Sequence, residues 1–152
     1  MESFDFSQYQ QVQSEAVVKL LQENSALEPI LTWLAEVSSS AETQIEKHPS
    51  DRSLVACGAG CGTCCVVNVS TLLPEGIAIV KYLRAQGEVR IAQVAERLEL
   101  LWREVGGLDD DERLAVRRPC AFLDEKGCCS IYPVRPLLCR SVTSTSADDC
   151  RE

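Results

Sequence analysis

Aromatic side chains make up only 5% of these 152 residues, and there is a single histidine and a single methionine. With so few rings, a core has to be assembled mostly from Leu, Val, Ile and Ala. No apolar run approaches the roughly 20 residues a helix needs to cross a bilayer, so no membrane span is expected. The first residues, Met1-Glu2-Ser3-Phe4-Asp5-Phe6, are acidic and lack a basic stretch followed by an apolar one, so no secretory signal is expected. Lys and Arg total 15 against 23 Asp and Glu, a net charge of −8 without a basic block, which is a poor match to nucleic acid. A Gly-rich nucleotide loop, an H-E-x-x-H pattern and a nucleophile–His pair are also missing. The sequence therefore marks no catalytic residue and leaves open whether the chain is an enzyme.

Cysteine, by contrast, is abundant, with nine in the chain. Without a secretory signal the expected location is the reducing cytoplasm, where a disulfide framework is not favoured. Nine is also an odd number, and metal ligation suits it better than pairing. Four of the nine lie in Cys57-Gly58-Ala59-Gly60-Cys61-Gly62-Thr63-Cys64-Cys65. That stretch has almost nothing apolar to bury, and its glycines let the backbone turn tightly around something small. Cys61-x-x-Cys64 has the spacing at which two thiolates from one turn close on one soft ion.

Apolar residues at 45% and charged residues at 25% place the chain among globular proteins. Recurrence at three and four predicts a helix from Ser7 to about Gln22, buried through Tyr9, Val12, Ala16, Val17 and Leu20. Ser25-Ala26-Leu27-Glu28 reads as a capping box, with Pro29 in the first turn. A second helix should run through Leu31, Leu34, Ala41 and Ile45, with Ser38-Ser39-Ser40 as a point of breakage. Trp33 suits a core or helix–helix contact, and His48, at a helix end, suits no ligand role. Residues 1–50 read as a helical extension packing on the main module, residues 51–152. Cys65 to Val69 is β-branched and expected to be extended. Pro74 opens a third helix, with Leu73 as its poor cap and Ile77, Val80 and Leu83 facing inward. Ile91, Val94, Ala95, Leu98, Leu101, Trp102 and Val105 form the stripe of a fourth helix, stopped at Gly106-Gly107. Asp109 with Glu112 caps a short fifth helix to about Val116.

The remaining cysteines follow Pro119. Asp124 to Gly127 is a turn that brings Cys120 toward Cys128 or Cys129, with Phe122, Leu123, Ile131 and Tyr132 as apolar anchors. Pro136 opens a helical turn carrying Cys139. Arg135 and Arg140 flank that thiol and are candidates to donate hydrogen bonds to sulfur, with pairing to carboxylates as the plain alternative.

Cys57-x3-Cys61-x2-Cys64-Cys65 resembles the CxxxCxxCC signature of the YkgJ-type cysteine-cluster family. Pro119-Cys120-x-Phe122-Leu123, then Gly127-x-Cys129-x-Ile131-Tyr132-x-x-Arg135-Pro136-x-x-Cys139-Arg140, is similar to its second half. The resemblance covers residues 57 to 150. It implies a zinc- or iron-chelating domain whose ligands are Cys57, Cys61, Cys64, Cys65, Cys120, Cys129, Cys139 and Cys150, and it leaves Cys128 as the extra thiol. It implies little about a reaction.

Adjacent side chains usually point apart, so the vicinal pair Cys64 and Cys65 does not readily serve one tetrahedral ion. Two arrangements remain open: eight thiolates making two four-coordinate sites, or four thiolates holding an iron–sulfur cluster. All-sulfur ligation argues against a hydrolytic zinc. The expected fold is mainly α, with four or five helices around an irregular, loop-rich cysteine metal-binding module and at most one short β-hairpin. The expected function is a metal-binding protein holding zinc or iron through thiolates, as a binding or accessory module. An iron–sulfur redox protein is the alternative, and a metal carrier or a thiol redox switch follows. Metal ions are the expected partners, and no protein partner can be read.

Overall fold

The computed structural model describes residues 5–23, 26–47 and 52–150. The chain is mainly helical and rich in loops, as expected. Among the described residues there are six α-helices and no β-strand, only one isolated antiparallel bridge between Leu123 and Cys129. The chain divides into two compact units, Met1–His48 and Pro49–Glu152.

The first unit pairs α1 (Phe6–Glu23) with α2 (Leu27–Lys47). Asp5 caps α1: its carboxylate accepts from Gln8 N at 3.0 Å and its carbonyl from Tyr9 N at 3.1 Å. The inward face differs from the expected stripe. Val12 and Ala16 are exposed, and Gln13 is half-buried beside Tyr9, Val17 and Leu20. Gln13 earns that position by accepting a 3.2 Å hydrogen bond from Trp33 Nε1, so Trp33 is a helix–helix contact. Ser38-Ser39-Ser40 does not break α2. The cost of serine inside a helix is roughly 0.5 kcal/mol per residue, too little to interrupt a face that continues from Leu34 to Ala41. The box at Ser25 and the residue His48 lie outside the described residues.

The second unit holds α3 (Leu73–Ala85), α4 (Glu88–Val105), α5 (Asp110–Val116) and the single turn α6 (Leu137–Ser141), with 3₁₀ turns at Arg52–Leu54 and Tyr132–Val134. Its core is small: Ile79 and Leu83 from α3, Val94 from α4, and Ile131, with Tyr82, Ile91, Phe122, Cys129 and Val134 packed around them. Gly87, at φ 102°, turns the chain between α3 and α4 in the left-handed region that a side chain disfavours.

Several expected faces are rotated. On α3 the buried positions are Glu75, Ile79 and Leu83, one every four residues, while Val80 is 45% exposed. Leu72 rather than Leu73 is the cap residue, and it has no polar side chain to offer. Glu75 replaces it by reaching back to accept from Leu72 N at 2.8 Å. On α4, Val94 is buried, whereas Trp102 is 71% exposed and Leu98 is 42% exposed. Arg97 is half-buried on the same helix. The box of α5 is as expected, with Glu112 N to Asp109 Oδ1 at 2.9 Å and Asp109 N to Glu112 Oε2 at 3.0 Å. Cys65 to Val69 is not extended. Residues 63–66 form consecutive turns, because Cys65 N and Val67 N bond back to Gly62 O and Cys64 O. Tyr132 is exposed and serves as a platform for Arg135, whose guanidinium carbon sits 4.2 Å from the ring centre, so it is not a core anchor.

Candidate metal centre

The first cysteine segment is a chain of tight turns. Cys61 N bonds to Gly58 O at 3.0 Å, and Cys65 N to Gly62 O at 3.0 Å. The second is a hairpin-like loop built on Asp124. Its carboxylate accepts from Lys126 N at 2.9 Å and Cys128 N at 2.8 Å, and its own N–H donates to Cys128 O at 2.9 Å. Ser130 N to Phe122 O at 2.8 Å closes the far end of the loop. The turn over Asp124 to Gly127 is therefore present as expected, and its register follows from one aspartate satisfying two backbone donors.

These two segments cross. Gly60 and Gly127 both have positive φ, 84° and 74°, and they face each other so closely that a Cβ on Gly127 would lie 2.7 Å from Gly60 O. Only glycine permits this approach. Further along, Cys120 N donates to Cys65 O at 2.7 Å, joining the segments beside the vicinal pair. α6 brings in Cys139. Its first residue, Leu137, donates N–H to Glu75 Oε1 at 2.8 Å, so the 5% exposed carboxylate of Glu75 ties the start of α3 to the start of α6.

Five thiols meet here. Partial burial comes first in pushing the Cys65 thiol up to about 12, and the thiols of Cys64, Cys120, Cys129 and Cys139 add to the rise. Cys120 is also raised, again by burial, and Cys129 contributes; the backbone N–H of Phe122 and the charges of Arg97 and Arg113 work against it. Cys139 is raised by burial and by Cys120 and Cys129, opposed by Arg135. Proximity of several groups that would each become an anion makes ionising any one of them costly.

The other cysteines sit differently. Cys57 is exposed, with its sulfur accepting from Ser144 N at 3.3 Å and lying 3.9 Å from Ser144 O. Cys61 is exposed, 3.9 Å from the Thr63 hydroxyl. Cys128 and Cys150 are half-buried, Cys128 in the Asp124 loop and Cys150 at the end of the turn over residues 147–150. All nine are free thiols. Among the described residues, no group of three or more His, Cys, Asp or Glu side chains is arranged to hold a metal ion. The five inner thiols thus lie close enough to feel one another's charge without closing on a common point.

Residues 56–151, more than half of the chain, match the model of the CxxCxxCC family, "Putative zinc- or iron-chelating domain". The chain belongs to this family. No curated protein and no solved structure matches it. CxxCxxCC membership makes the chain a metal-binding one, with zinc or iron as the metal, and the donors gathered here fit that chemistry. They are all sulfur, they come from two segments pinned at Cys65 and Cys120, and guanidinium groups stand beside them to offset thiolate charge.

Sequence reasoning missed Glu75, Arg97 and Arg113. Arg97 had a signal: it sits three residues after the buried Val94 and four before the half-buried Leu101, a charged residue on an inward stripe. Arg113 had none, since α5 is too short for its buried side to show. Arg140, a candidate from the sequence, donates to Arg135 O at 3.2 Å and Pro133 O at 3.0 Å, bracing the 3₁₀ turn.

Proposed function

We propose that the chain is a binding or accessory module that holds its zinc or iron through the thiolates of Cys57, Cys61, Cys64, Cys65, Cys120, Cys129, Cys139 and Cys150. The carrying observation is the meeting of two cysteine segments at the Cys120 N to Cys65 O bond, between residues 55 positions apart, with five half-buried thiols around it. Cys64, Cys65, Cys120, Cys129 and Cys139 are the inner donors in this reading. Cys57, Cys61 and Cys150 are the outer donors in this reading and have to move toward the inner five when metal is bound. Held metal cross-links loops that have little apolar surface to bury and so replaces the core they lack. The proposed donors are all sulfur, which suits a binding role better than hydrolysis.

Anaerobic purification followed by elemental analysis and a visible spectrum tests the reading. A colourless protein with about two zinc ions per chain supports two four-sulfur sites. A brown protein with iron and acid-labile sulfide would move the assignment to an iron–sulfur electron carrier. A chain that binds neither metal stoichiometrically refutes both.

A further inference from the structure

Three guanidinium groups stand near the thiol cluster, on α4, on α5 and just after the 3₁₀ turn Tyr132–Val134. Arg97 on α4 donates to Leu123 O, and Leu123 N in turn bonds to Cys120 O at 3.1 Å. Arg113 on α5 donates to Arg118 O, two residues before Cys120. The pair thereby brackets the chain on either side of that thiol. Arg135 stacks on Tyr132 and acts on Cys139, four residues later. In a chain with 23 acidic residues, none of the three is paired with a carboxylate among the described residues.

Arg113 is the most telling. It is 3% exposed, and its Nη1 has no hydrogen-bond partner. Among the described residues, the other two buried side-chain polar atoms without a partner are Arg135 Nε and Ser130 Oγ. The three belong to residues beside different inner cysteines: Arg113 near Cys120, Arg135 near Cys139, and Ser130 directly after Cys129. A buried donor without an acceptor is costly, and a guanidinium costs more than a neutral group. A thiolate is the acceptor this neighbourhood supplies.

We propose that Arg113, with Arg97 and Arg135, forms a guanidinium frame that gives hydrogen bonds and positive charge to the Cys120 and Cys139 thiolates when the two cysteine segments hold a soft cation. Arg113 is a positioning residue in this scheme, acting on the metal through Cys120. The frame also accounts for one buried and two half-buried arginines in an acidic protein: four thiolates around one divalent ion leave two excess negative charges, and the guanidiniums offset them.

The inference rests on the metal-binding reading, and cobalt(II) as the probe separates the two. In the unsubstituted chain, cobalt(II) should give an intense sulfur-to-cobalt absorption. Arg113→Met should keep helical circular dichroism, bind cobalt(II) roughly 10- to 100-fold more weakly, and move that band to longer wavelength, because a thiolate without its hydrogen bond gives up an electron more easily. Arg113→Lys, which keeps the charge, should recover part of the affinity. If Arg113→Met does not fold, Arg97→Gln serves, since the shorter neutral side chain removes both the charge and the Nη2 donor to Leu123 O; binding should weaken several-fold. A folded Arg113→Met, or failing that Arg97→Gln, with unchanged affinity and band overturns the frame alone. An unsubstituted chain without the sulfur-to-cobalt band overturns the metal site and the frame together.

Discussion

At the scale of single residues, Glu75 carries more of the structure than its position in a helix suggests. It is buried, and both carboxylate oxygens accept backbone N–H groups at 2.8 Å, from Leu72 and Leu137. Glu75→Ala leaves both donors unpaired and should cost about 3 kcal/mol; urea unfolding gives the value, and a loss below half of that would show water replacing the carboxylate. Cys65 gives a pH prediction. Its folded value of about 12 lies above the ordinary 9.0, so protonated thiol is favoured by the fold. That contribution is complete below pH 9 and is lost as pH rises from 9 toward 12. The metal-free chain should therefore lose urea resistance across that window, and Cys65→Ser should flatten the slope; identical slopes refute the assignment. Among the cysteines, Cys61→Ser should abolish stoichiometric metal because of its chelate spacing with Cys64, whereas Cys128→Ser should leave metal content unchanged. The reverse pattern in elemental analysis would exchange their roles.

At the scale of elements, the crossing of the two cysteine segments decides the local shape. Gly127→Ala places a Cβ 2.7 Å from Gly60 O on a backbone at φ 74°. The strain should cost roughly 1–3 kcal/mol and push the loops apart, so denaturant stability and metal affinity should fall together; a stable variant with weakened affinity would separate the two effects. The helices show what periodicity can reveal. The extents of α4 and α5 were legible because a long apolar repeat and a reciprocal Asp109–Glu112 cap are local signals, although Leu98 and Trp102 of the α4 repeat face solvent. The faces of α1 and α3 were misjudged by one position, because Gln13 and Glu75 are polar residues that point inward to meet partners distant in sequence, Trp33 and Leu137. Apolar counting cannot register such residues. The turns at Cys64 and Cys65 were hidden for a related reason: β-branched residues after them suggest extension, while the backbone there bends to bring Cys65 to Cys120.

At the scale of the whole molecule, the buried apolar set of the second unit is modest among the described residues: four clustered side chains and Ala121. Such a core gives the loops little apolar support, and in the proposed reading bound metal would order them. Adding zinc(II) to the metal-free chain should slow amide exchange across residues 57–65 and 119–141. Residues 6–47, which contain no cysteine, should not change. Equal slowing in both regions would refute a local cross-link. No described helix is long and apolar enough to cross a membrane, in line with the absence of a long apolar run.

The family, the helical class and the choice of sulfur chemistry were decided by the sequence alone. Each depends on residue type and short spacing: Cys57 to Cys65, the second half of the signature from Pro119 to Arg140, and apolar helical repeats such as that of α4. The tertiary structure alone decided which thiols become neighbours and which cations stand beside them. Cys65 meets Cys120, and Arg97 and Arg113 flank it, through contacts spanning tens of residues and helix rotations set by packing. Such long-range geometry is a property of the assembled core, and no local pattern of residues encodes it.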